Sequence, residues 1–497
     1  MATIIPRWEW RTFGTWFGAA AERSLAAQDP TGIQESDEIY LLSNPRATTK
    51  IRGGLMDVKE LVEVDDFGLE QWRPTMKAGF PLAAVDAARV FEAVGLPVPP
   101  LTRPEYTLEQ FLEEVARPGG LRATAVHKRR VRHVIGGCTA EVSDVTADGI
   151  PTRTVAIESE DRAAVVAAVR SMGLADYLNT AYGRGLAALL DGAPARYAVI
   201  DVGTNSVKFH GGERAADGTW TRVLDRAEVT RLGEGLDENG AIGDEPAART
   251  AEAIAGMAGE ARSAGVLAIA AVGTAGLRIA TNRDAVLEVI RERAGVRVEV
   301  ISGEEESRLA FLAARAGVRL GGGSVAVFDT GGGSTQLTFG REDRVDERFS
   351  VNVGSARFTE RFGLDQPVAP AVLSDALAAI AGDLERLDGR PPVDALVGMG
   401  GAVTNITAVS HAMTDYDPDR IQGAVLTRAE ISRQVELYAG LDREGRMAVP
   451  GLQPKRADVI LAGACIVGTV MDKLGRDALT VSDRGLRHGL LAERFGS

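Results

Sequence analysis

Apolar residues fall in short runs that end at polar residues, and two of these runs share one form. The first, residues 197–200, leads into Asp201 and a short loop of glycine, hydroxyl and amide residues. The second, residues 325–328, leads into Asp329 and three glycines. Apolar and polar residues then alternate after both loops. Apolar runs of this length, followed by alternation, predict two β-hairpins.

Each predicted hairpin places a carboxylate beside a turn that can bind phosphate. Glycines permit a tight turn, converging N–H groups bind phosphate oxygens, and the carboxylate can hold a hard cation that shares those oxygens. Ser334 and Thr335 add hydroxyl donors. One such loop is equally consistent with a plain glycine-rich turn, but two favour two similar half-domains facing a shared cleft. The loops lack the Walker pattern and lead to strands.

Two more candidates for phosphate chemistry lie between the hairpins. Arg278 follows a predicted strand at 266–272 and could grip phosphate with two N–H groups, although a surface ion pair is the alternative. Ser302 begins a predicted capping box, so Glu306 falls in the first turn of a helix, where the helix dipole favours its ionised form. A carboxylate there could orient a water for attack on phosphorus. Its two acidic predecessors are predicted only to decorate the helix N-terminus.

Residues 1–193 are predicted to form a separate β-rich unit. Charged residues alternate with aromatic or apolar ones at 7–13, 50–52, 57–61 and 128–132, and a helix is predicted at 162–172. No Asp or Glu occurs between residues 115 and 140, where several arginines and a lysine fall. Strands with one basic face could line a tunnel, and a solvated charged sheet is the alternative. The stretch 192–195 has linker chemistry and marks the boundary.

Length, net charge, cysteine spacing and the lengths of apolar runs limit the classes of function that the chain can have. The 497 residues predict about two to four domains. A net charge of −13 gives no electrostatic reason to expect nucleic-acid binding. Cys138 and Cys465 form no metal-ligand pattern. The sequence has neither an apolar run long enough for a bilayer nor the apolar core of a signal peptide, so we expect a cytoplasmic protein without membrane partners.

The order of motifs resembles the exopolyphosphatase and guanosine pentaphosphate phosphohydrolase (Ppx/GppA) family, in its short two-lobe form, over residues 197–497. The motifs are Asp-x-Gly-Thr-Asn-Ser at 201, Leu-Gly-Glu-Gly-Leu at 232, Gly-Thr-Ala-x-Leu-Arg at 273, Ile-Ser-Gly-x-Glu-Glu-x-Arg-Leu at 301 and Asp-x-Gly-Gly-Gly-Ser-Thr at 329. Later segments agree, at 398–402, 456–460 and 481–486. One departure is Gln336, where the family often has Glu.

The resemblance implies roles for single residues. Glu306 would be the catalytic base, and Asp201 and Asp329 would hold Mg²⁺ (or Mn²⁺) near the nucleophilic water. The phosphate-binding residues would be Asn205, Ser206, Lys208, Arg278, Gly331, Gly332, Gly333, Ser334 and Thr335.

The front unit resembles the CYTH, or triphosphate-tunnel, family. That family opens with a Glu-x-Glu-x-Lys strand, and the matching positions here are Arg7, Glu9 and Arg11. Replacement of one metal-binding Glu by Arg is compatible with polyphosphate binding and argues against independent catalysis. The predicted polyphosphate-binding residues of this unit are Arg11, Lys50, Arg52, Lys59, Lys128, Arg130 and Arg132.

These resemblances predict an α/β protein: two actin-like (ribonuclease H-like) lobes at 197–320 and 321–497, preceded by a β-rich CYTH-like α+β domain at 1–193. The expected activity is Mg²⁺-dependent release of terminal orthophosphate from inorganic polyphosphate. Hydrolysis of guanosine pentaphosphate is the alternative substrate choice. A polyphosphate- or nucleotide-binding regulator without turnover is the alternative from another class. A superfamily kinase would need an acceptor site, which the sequence does not show. No nucleic-acid partner is expected, and a homodimer is left open.

Overall fold

The structure is a computed structural model that describes residues 5–43, 47–65, 68–215, 217–236, 240–317, 323–341 and 344–496, without the side chains of 315–317. The predicted lobe boundary at 320/321 lies outside the described residues. Within these ranges, no helix has both the length and the apolar character needed to cross a bilayer.

Eight antiparallel strands of the front domain close into a barrel in the order β1-β10-β9-β8-β2-β3-β4-β5. Because side chains alternate between the two faces of a strand, one face of each strand points into the barrel. In β8 the side chains of Lys128 and Arg130 are buried, whereas Arg129 between them is exposed. The strands are β1 Arg7–Gly14, β2 Gly32–Leu42, β3 Ala47–Arg52, β4 Leu55–Val64, β5 Glu70–Gly79, β8 Arg122–Ile135, β9 Cys138–Ala147 and β10 Ile150–Ser159.

Helices flank the barrel, and one of them closes an end. The short strands β6 Leu82–Ala83 and β7 Glu105–Tyr106 pair beside the helices α1 Gly18–Ala26, α2 Ala84–Val94, α3 Leu108–Gln110 with a π-helical turn Phe111–Ala116, α4 Arg162–Ser171, and α5 Tyr182–Leu190. Helix α4 confirms the predicted helix at 162–172, and the Asp161 side chain caps it. Tyr182, at the start of α5, stacks on the Tyr40 ring at 4.7 Å and contacts the Phe13 ring at 5.3 Å. Helix α5 therefore plugs one end of the barrel.

The first lobe is a five-stranded sheet in the order β13-β12-β11-β14-β15. Strands β11 and β12 form the first predicted hairpin, and β14 and β15 continue the sheet in parallel. Parallel strands need crossover connections, which here are helical. The elements are β11 Ala195–Val202, β12 Ser206–Arg214, β13 Trp220–Val229, α6 Asp244–Ser263, β14 Ala268–Gly273, α7 Ala275–Ile279, α8 Arg283–Ala294 and β15 Val298–Val300.

The second lobe repeats this plan with a six-stranded sheet in the order β18-β17-β16-β19-β21-β20. Strands β16 and β17 form the second predicted hairpin, and β19 and β21 run parallel to β16. Its strands are β16 Ser324–Thr330, β17 Thr335–Arg341, β18 Arg344–Val351, β19 Ala395–Met399, β20 Val425–Thr427 and β21 Ala478–Val481. Its helices are α10 Ser355–Phe362, α11 Pro370–Asp383, α12 Gly400–Ser410, α13 Pro418–Ile421, α14 Arg428–Ala439, α15 Arg443–Met447 and α16 Ile460–Lys473, with 3₁₀ turns Glu385–Leu387 and Pro454–Arg456 after α11 and α15.

Two helices connect the units. Helix α9 (Gly303–Gly317) packs on strands β16 to β18 of the second lobe and on α17 (Leu486–Phe495). Helix α17 packs in turn on β11, β12 and β14 of the first lobe and on α1 of the front domain. One hydrophobic core accordingly joins Trp8 and Phe17 of the front domain, Tyr197 and Val199 of the first lobe, and Phe495 of α17.

Candidate active site

The two hairpins place their carboxylates in the same way. Asp201 lies at the end of β11 opposite Lys208 of β12, and Asp329 lies at the end of β16 opposite Gln336 of β17. Both turns close with one backbone hydrogen bond: the Gly203 N–H donates to the Ser206 carbonyl at 3.1 Å, and the Gly331 N–H donates to the Ser334 carbonyl at 2.9 Å. The sheets therefore present two equivalent loops, each with a carboxylate beside it.

Arg278 and Glu306 reach the same region from neighbouring elements of the first lobe. Arg278 lies on α7, which follows β14, and Glu306 lies on the first turn of α9, which follows β15. The Ser302 hydroxyl accepts the Glu305 N–H at 3.1 Å, as a capping residue does. The Arg278 guanidinium donates from Nη1 to Glu306 Oε2 at 2.8 Å and to the Ile301 carbonyl at 3.0 Å. The ion pair between Arg278 and Glu306 is partly buried rather than on the surface, and it fixes the Glu306 carboxylate.

Charge interactions show that these groups lie near one another. Lys208 Nζ lies 3.6 Å from Asp201 Oδ2. Burial raises the pKa of Asp329 above its ordinary value, Lys208 opposes that rise and Asp201 adds to it. Burial also raises the pKa of Glu306; Arg278 lowers it, and the charges of Asp201 and Asp329 raise it further. Three acids from two lobes thus lie close enough to interact, each acid of the first lobe beside a cation.

The glycine-rich loop of the second lobe is built onto the start of α10. The Ser355 N–H donates to the Gly331 carbonyl at 3.0 Å, and the Ala356 N–H donates to the Gly332 carbonyl at 2.9 Å. A Cβ on Gly354 would overlap the backbone of Gly332, so only glycine permits this approach. These bonds turn the loop carbonyls toward the helix, and residues 332 and 333 are exposed.

Two residues predicted to bind phosphate, Thr335 and Gly331, donate hydrogen bonds within the protein. The Thr335 side chain is fully buried and its hydroxyl donates to the Val353 carbonyl at 2.6 Å. The Gly331 N–H is the donor that closes the turn. Ser334 is half-buried, and its Oγ accepts a hydrogen bond from the Gln336 amide at 2.9 Å. In the first lobe, Asn205 is exposed and Ser206 half-buried, and the Asn205 carbonyl accepts the N–H groups of residues 230 and 231.

Two residues at the second lobe were given no role by sequence reasoning. Gly400, the first residue of α12 directly after β19, has φ +91°, and a Cβ there would overlap Asp329 Oδ1 and lie 2.7 Å from the Thr330 carbonyl. The Arg456 guanidinium lies against Gly401, where a Cβ would be 2.5 Å from Arg456 Nη2. Burial lowers the pKa of Arg456, and its buried Nε has no hydrogen-bond partner among the described residues. The motifs at 398–402 and 456–460 were the available signal for both.

The two aspartates fit a divalent cation that is shared with substrate. Asp201 Oδ1 is buried without a hydrogen-bond partner among the described residues. This oxygen can therefore accept a hydrogen bond or bind a cation. Within the described ranges no three His, Cys, Asp or Glu side chains form a complete metal cage. Mg²⁺ in phosphoryl-transfer sites needs only one or two carboxylates, because waters and substrate phosphates supply the remaining oxygens.

A second polar cluster fills the front barrel. Glu38 is buried at its centre, 3.1 Å from Lys128 Nζ and 3.5 Å from Lys50 Nζ, and it also pairs with Arg130. Arg52 lies 3.7 Å away and is more exposed. Burial opposes ionisation of Glu38, but the surrounding cations outweigh it and lower its pKa to about 2.

A cavity of about 70 Å³ opens at one side of this cluster. It is lined by Glu9, Arg11, Tyr40, Thr48, Lys50, Asp57, Lys59, Trp72 and Tyr182. Arg11 donates to Glu9 at 2.8 Å, and Arg7 pairs with Glu158 at 3.4 Å outside it. Arg132, also predicted to bind polyphosphate here, is exposed and donates to the Gln34 side chain at 3.1 Å, so it lies away from the cavity.

The fold and the cleft define a class, that of actin-like phosphatases whose acids and phosphate loops come from two facing lobes. The model of the Ppx/GppA phosphatase family matches residues 213–497, which is more than half of the chain. The chain belongs to this family. The match begins after Asp201, and the barrel lies outside it.

Known proteins resemble the same part of the chain. Exopolyphosphatase 2 of Mycobacterium tuberculosis (strain ATCC 25618 / H37Rv) is 31% identical over 319 residues, covering 61% of this chain and 100% of that protein. The guanosine-5'-triphosphate,3'-diphosphate pyrophosphatase of Vibrio atlanticus (strain LGP32) is 30% identical, covering 61% of this chain and 59% of that protein. The crystal structure of the Aquifex aeolicus Ppx/GppA family member matches with a TM-score of 0.56 and 32% identity, over 60% of this chain and 96% of that one.

Proposed function

We propose that this protein hydrolyses the terminal phosphoanhydride bond of inorganic polyphosphate and releases orthophosphate. The observation that carries the proposal is the position of Glu306, a half-buried carboxylate fixed by Arg278 and facing Asp201 and Asp329 across the cleft of a Ppx/GppA family member. The exopolyphosphatase name of the Mycobacterium relative supports inorganic polyphosphate as the first choice of substrate.

Substrate phosphates are held from both lobes. Lys208 and Arg278 supply positive charge from the first lobe, beside Asn205 and Ser206. Residues 332 and 333 are exposed, and their backbone N–H groups with the Ser334 hydroxyl would supply donors from the second lobe. Donors that are already in place stabilise charge as it develops on the transferred phosphoryl group.

Glu306 acts as the general base. Its carboxylate accepts a proton from a water, whose oxygen attacks the terminal phosphorus while the bond to the bridging oxygen breaks. The shortened polyphosphate leaves with that oxygen, and orthophosphate is the second product. The raised pKa of Glu306 brings its proton affinity closer to that needed by a base, while Arg278 orients it.

Asp201 and Asp329 would hold Mg²⁺ or Mn²⁺, which would neutralise charge on the phosphate oxygens at the reacting end of the chain. The unpartnered Asp201 Oδ1 and the like charges of the two aspartates support this assignment.

The front barrel is proposed to be a CYTH-like domain that binds the polyphosphate chain. Lys50, Lys59 and Arg11 line its cavity, and Lys128 and Arg130 lie deeper, on Glu38. Arg7 stands where the family's opening strand has a Glu, which supports binding without hydrolysis. A chain held there would be presented to the cleft at a raised local concentration.

Guanosine pentaphosphate is the second candidate substrate, favoured by the name of the Vibrio relative. Orthophosphate release should be measured for polyphosphates of several lengths and for guanosine pentaphosphate, with metal-stripped protein and added Mg²⁺. Metal-dependent release that is fastest from polyphosphate is the expected result. Preference for the nucleotide would move the protein to the alternative substrate, and binding without release would make it a sensor.

A further inference from the structure

The helix that carries Glu306 is held by the C-terminal helix. A Cβ on Gly489 of α17 would overlap the Leu309 carbonyl of α9, so the backbones of the two helices touch. Arg308, two residues beyond Glu306, pairs with Glu493 of α17 and donates to Glu305 of its own helix at 2.6 Å. The position of α9 therefore depends on the position of α17.

The strand that leads into α9 is tied to the same helix. Arg494 of α17 donates to Glu299 of β15 at 2.5 Å, and its other nitrogen lies 3.3 Å from Asp176, which follows the front domain's α4. One guanidinium thus joins the front domain to the strand immediately before the catalytic helix.

The front domain contacts the C-terminal end of α17. The Trp16 indole N–H donates to the Gly496 carbonyl at 3.0 Å. Gly18 has φ +79°, and a Cβ there would lie 2.5 Å from the Arg494 carbonyl. The Tyr177 ring meets the Phe495 ring edge-on at 5.7 Å. These contacts tie the C-terminal end of α17 to the front domain.

We propose that the front domain positions Glu306 through helix α17, with Trp16, Glu493 and Arg494 as positioning residues. The proposal rests on the proposed role of Glu306 as base. A general base works only within hydrogen-bond reach of the attacking water, so a displacement of α9 by about an ångström lowers turnover. The phosphate-binding loops lie on other elements, so substrate binding should change little.

The test is Gly18→Ala in the full chain, because the added Cβ presses on the Arg494 carbonyl. Turnover on polyphosphate should fall by about 10- to 100-fold, with KM within about twofold of the wild type. Amide hydrogen exchange in residues 303–317 should become faster. The matched control is Gly149→Ala, a barrel glycine with φ +86° and no atom within 4 Å of the added Cβ, which shares the backbone strain alone. Gly489→Ala, which disturbs α9 directly, is the positive control.

Unchanged turnover and unchanged exchange in Gly18→Ala would overturn the proposal, as would equal losses in Gly149→Ala. If Gly18→Ala does not fold, Trp16→Phe removes the indole donor with part of the ring and is judged by the same two measurements. Glu306→Gln distinguishes a failure of this proposal from a failure of the proposed role of Glu306 as base. Wild-type turnover in that variant would remove the role of Glu306, whereas hydrogen exchange would still report whether the front domain holds α9.

Discussion

At the level of single residues, the proposed chemistry depends on the pKa of one carboxylate, that of Glu306. Burial and two neighbouring aspartates raise the pKa of Glu306, and Arg278 lowers it. A base must be ionised to accept a proton, so turnover is lost as the pH falls through the pKa of Glu306. Because that pKa is raised, the acid limb of the rate profile should lie at higher pH than an ordinary glutamate would give.

Arg278→Gln should move that limb. Removing the guanidinium removes the group that lowers the pKa of Glu306, so the limb should shift to higher pH. Loss of a phosphate donor should also reduce kcat/KM by roughly 10²–10³-fold. The pH dependence of turnover, measured at saturating metal, checks the shift. Arg348→Gln is the control, because Arg348 pairs with Glu304 on the same helix start without contacting Glu306. A limb that stays in place would mean that Arg278 does not tune the base.

At the level of elements, the site depends on junctions that bring backbones close together. The direct junction of β19 with α12 brings Gly400 against Asp329 and Thr330. The second lobe can therefore hold Asp329 in place only with glycine at this position, since any side chain would displace the carboxylate.

Gly400→Ala should raise the concentration of Mg²⁺ needed for half-maximal activity and lower stability by about 1–3 kcal/mol, the usual cost of a strained backbone position. Metal titrations of activity and thermal unfolding provide the two readings. Gly363→Ala, with φ +64° and no atom within 4 Å of the added Cβ, shares the strain without the contact. A normal metal requirement in Gly400→Ala would show that Asp329 is not held by this junction.

The sequence predicted the elements of the cleft well because each motif is local. Both hairpins and the helix start at Ser302 are confirmed. Thr335 shows what was overlooked, since it lies two positions before buried Leu337 and so shares its inward face. Arg132 could not be placed, because the buried positions of β8 change from even to odd numbers between Arg130 and His133, although the strand pairs without a bulge there. That change depends on how the barrel closes and leaves no local pattern.

For the whole molecule, the barrel and the first lobe are less separable than the linker at 192–195 suggests. The core that joins Trp8, Tyr197 and Phe495 spans both, and the Leu178 N–H donates to the Leu267 carbonyl at 2.9 Å. Contacts between residues as distant as Trp16 and Gly496 cannot be read from spacing along the chain. Removal of residues 1–193 would therefore expose a core, so single substitutions are the cleaner test of the barrel.

Lys59→Gln should raise KM for long polyphosphate several-fold more than for short chains, because it removes a cation from the barrel cavity and none from the cleft. The difference should shrink at high salt, which screens charge. KM measured against chain length and salt gives the answer. Lys77→Gln, on the neighbouring strand and exposed, is the matched control. Equal KM values for Lys59→Gln and the wild type on long chains would exclude a tether at this cavity.

The decisive measurement is orthophosphate release from polyphosphate by Glu306→Gln beside the wild type, with Mg²⁺ present. Glu304→Gln, an exposed acid on the same helix turn, serves as the control. Glu306→Gln should lower turnover by roughly 10²–10⁴-fold, the range for loss of a general base. Binding of polyphosphate should persist, because the phosphate donors lie elsewhere, and Glu304→Gln should stay near the wild type. Near-normal release by Glu306→Gln would contradict the mechanism.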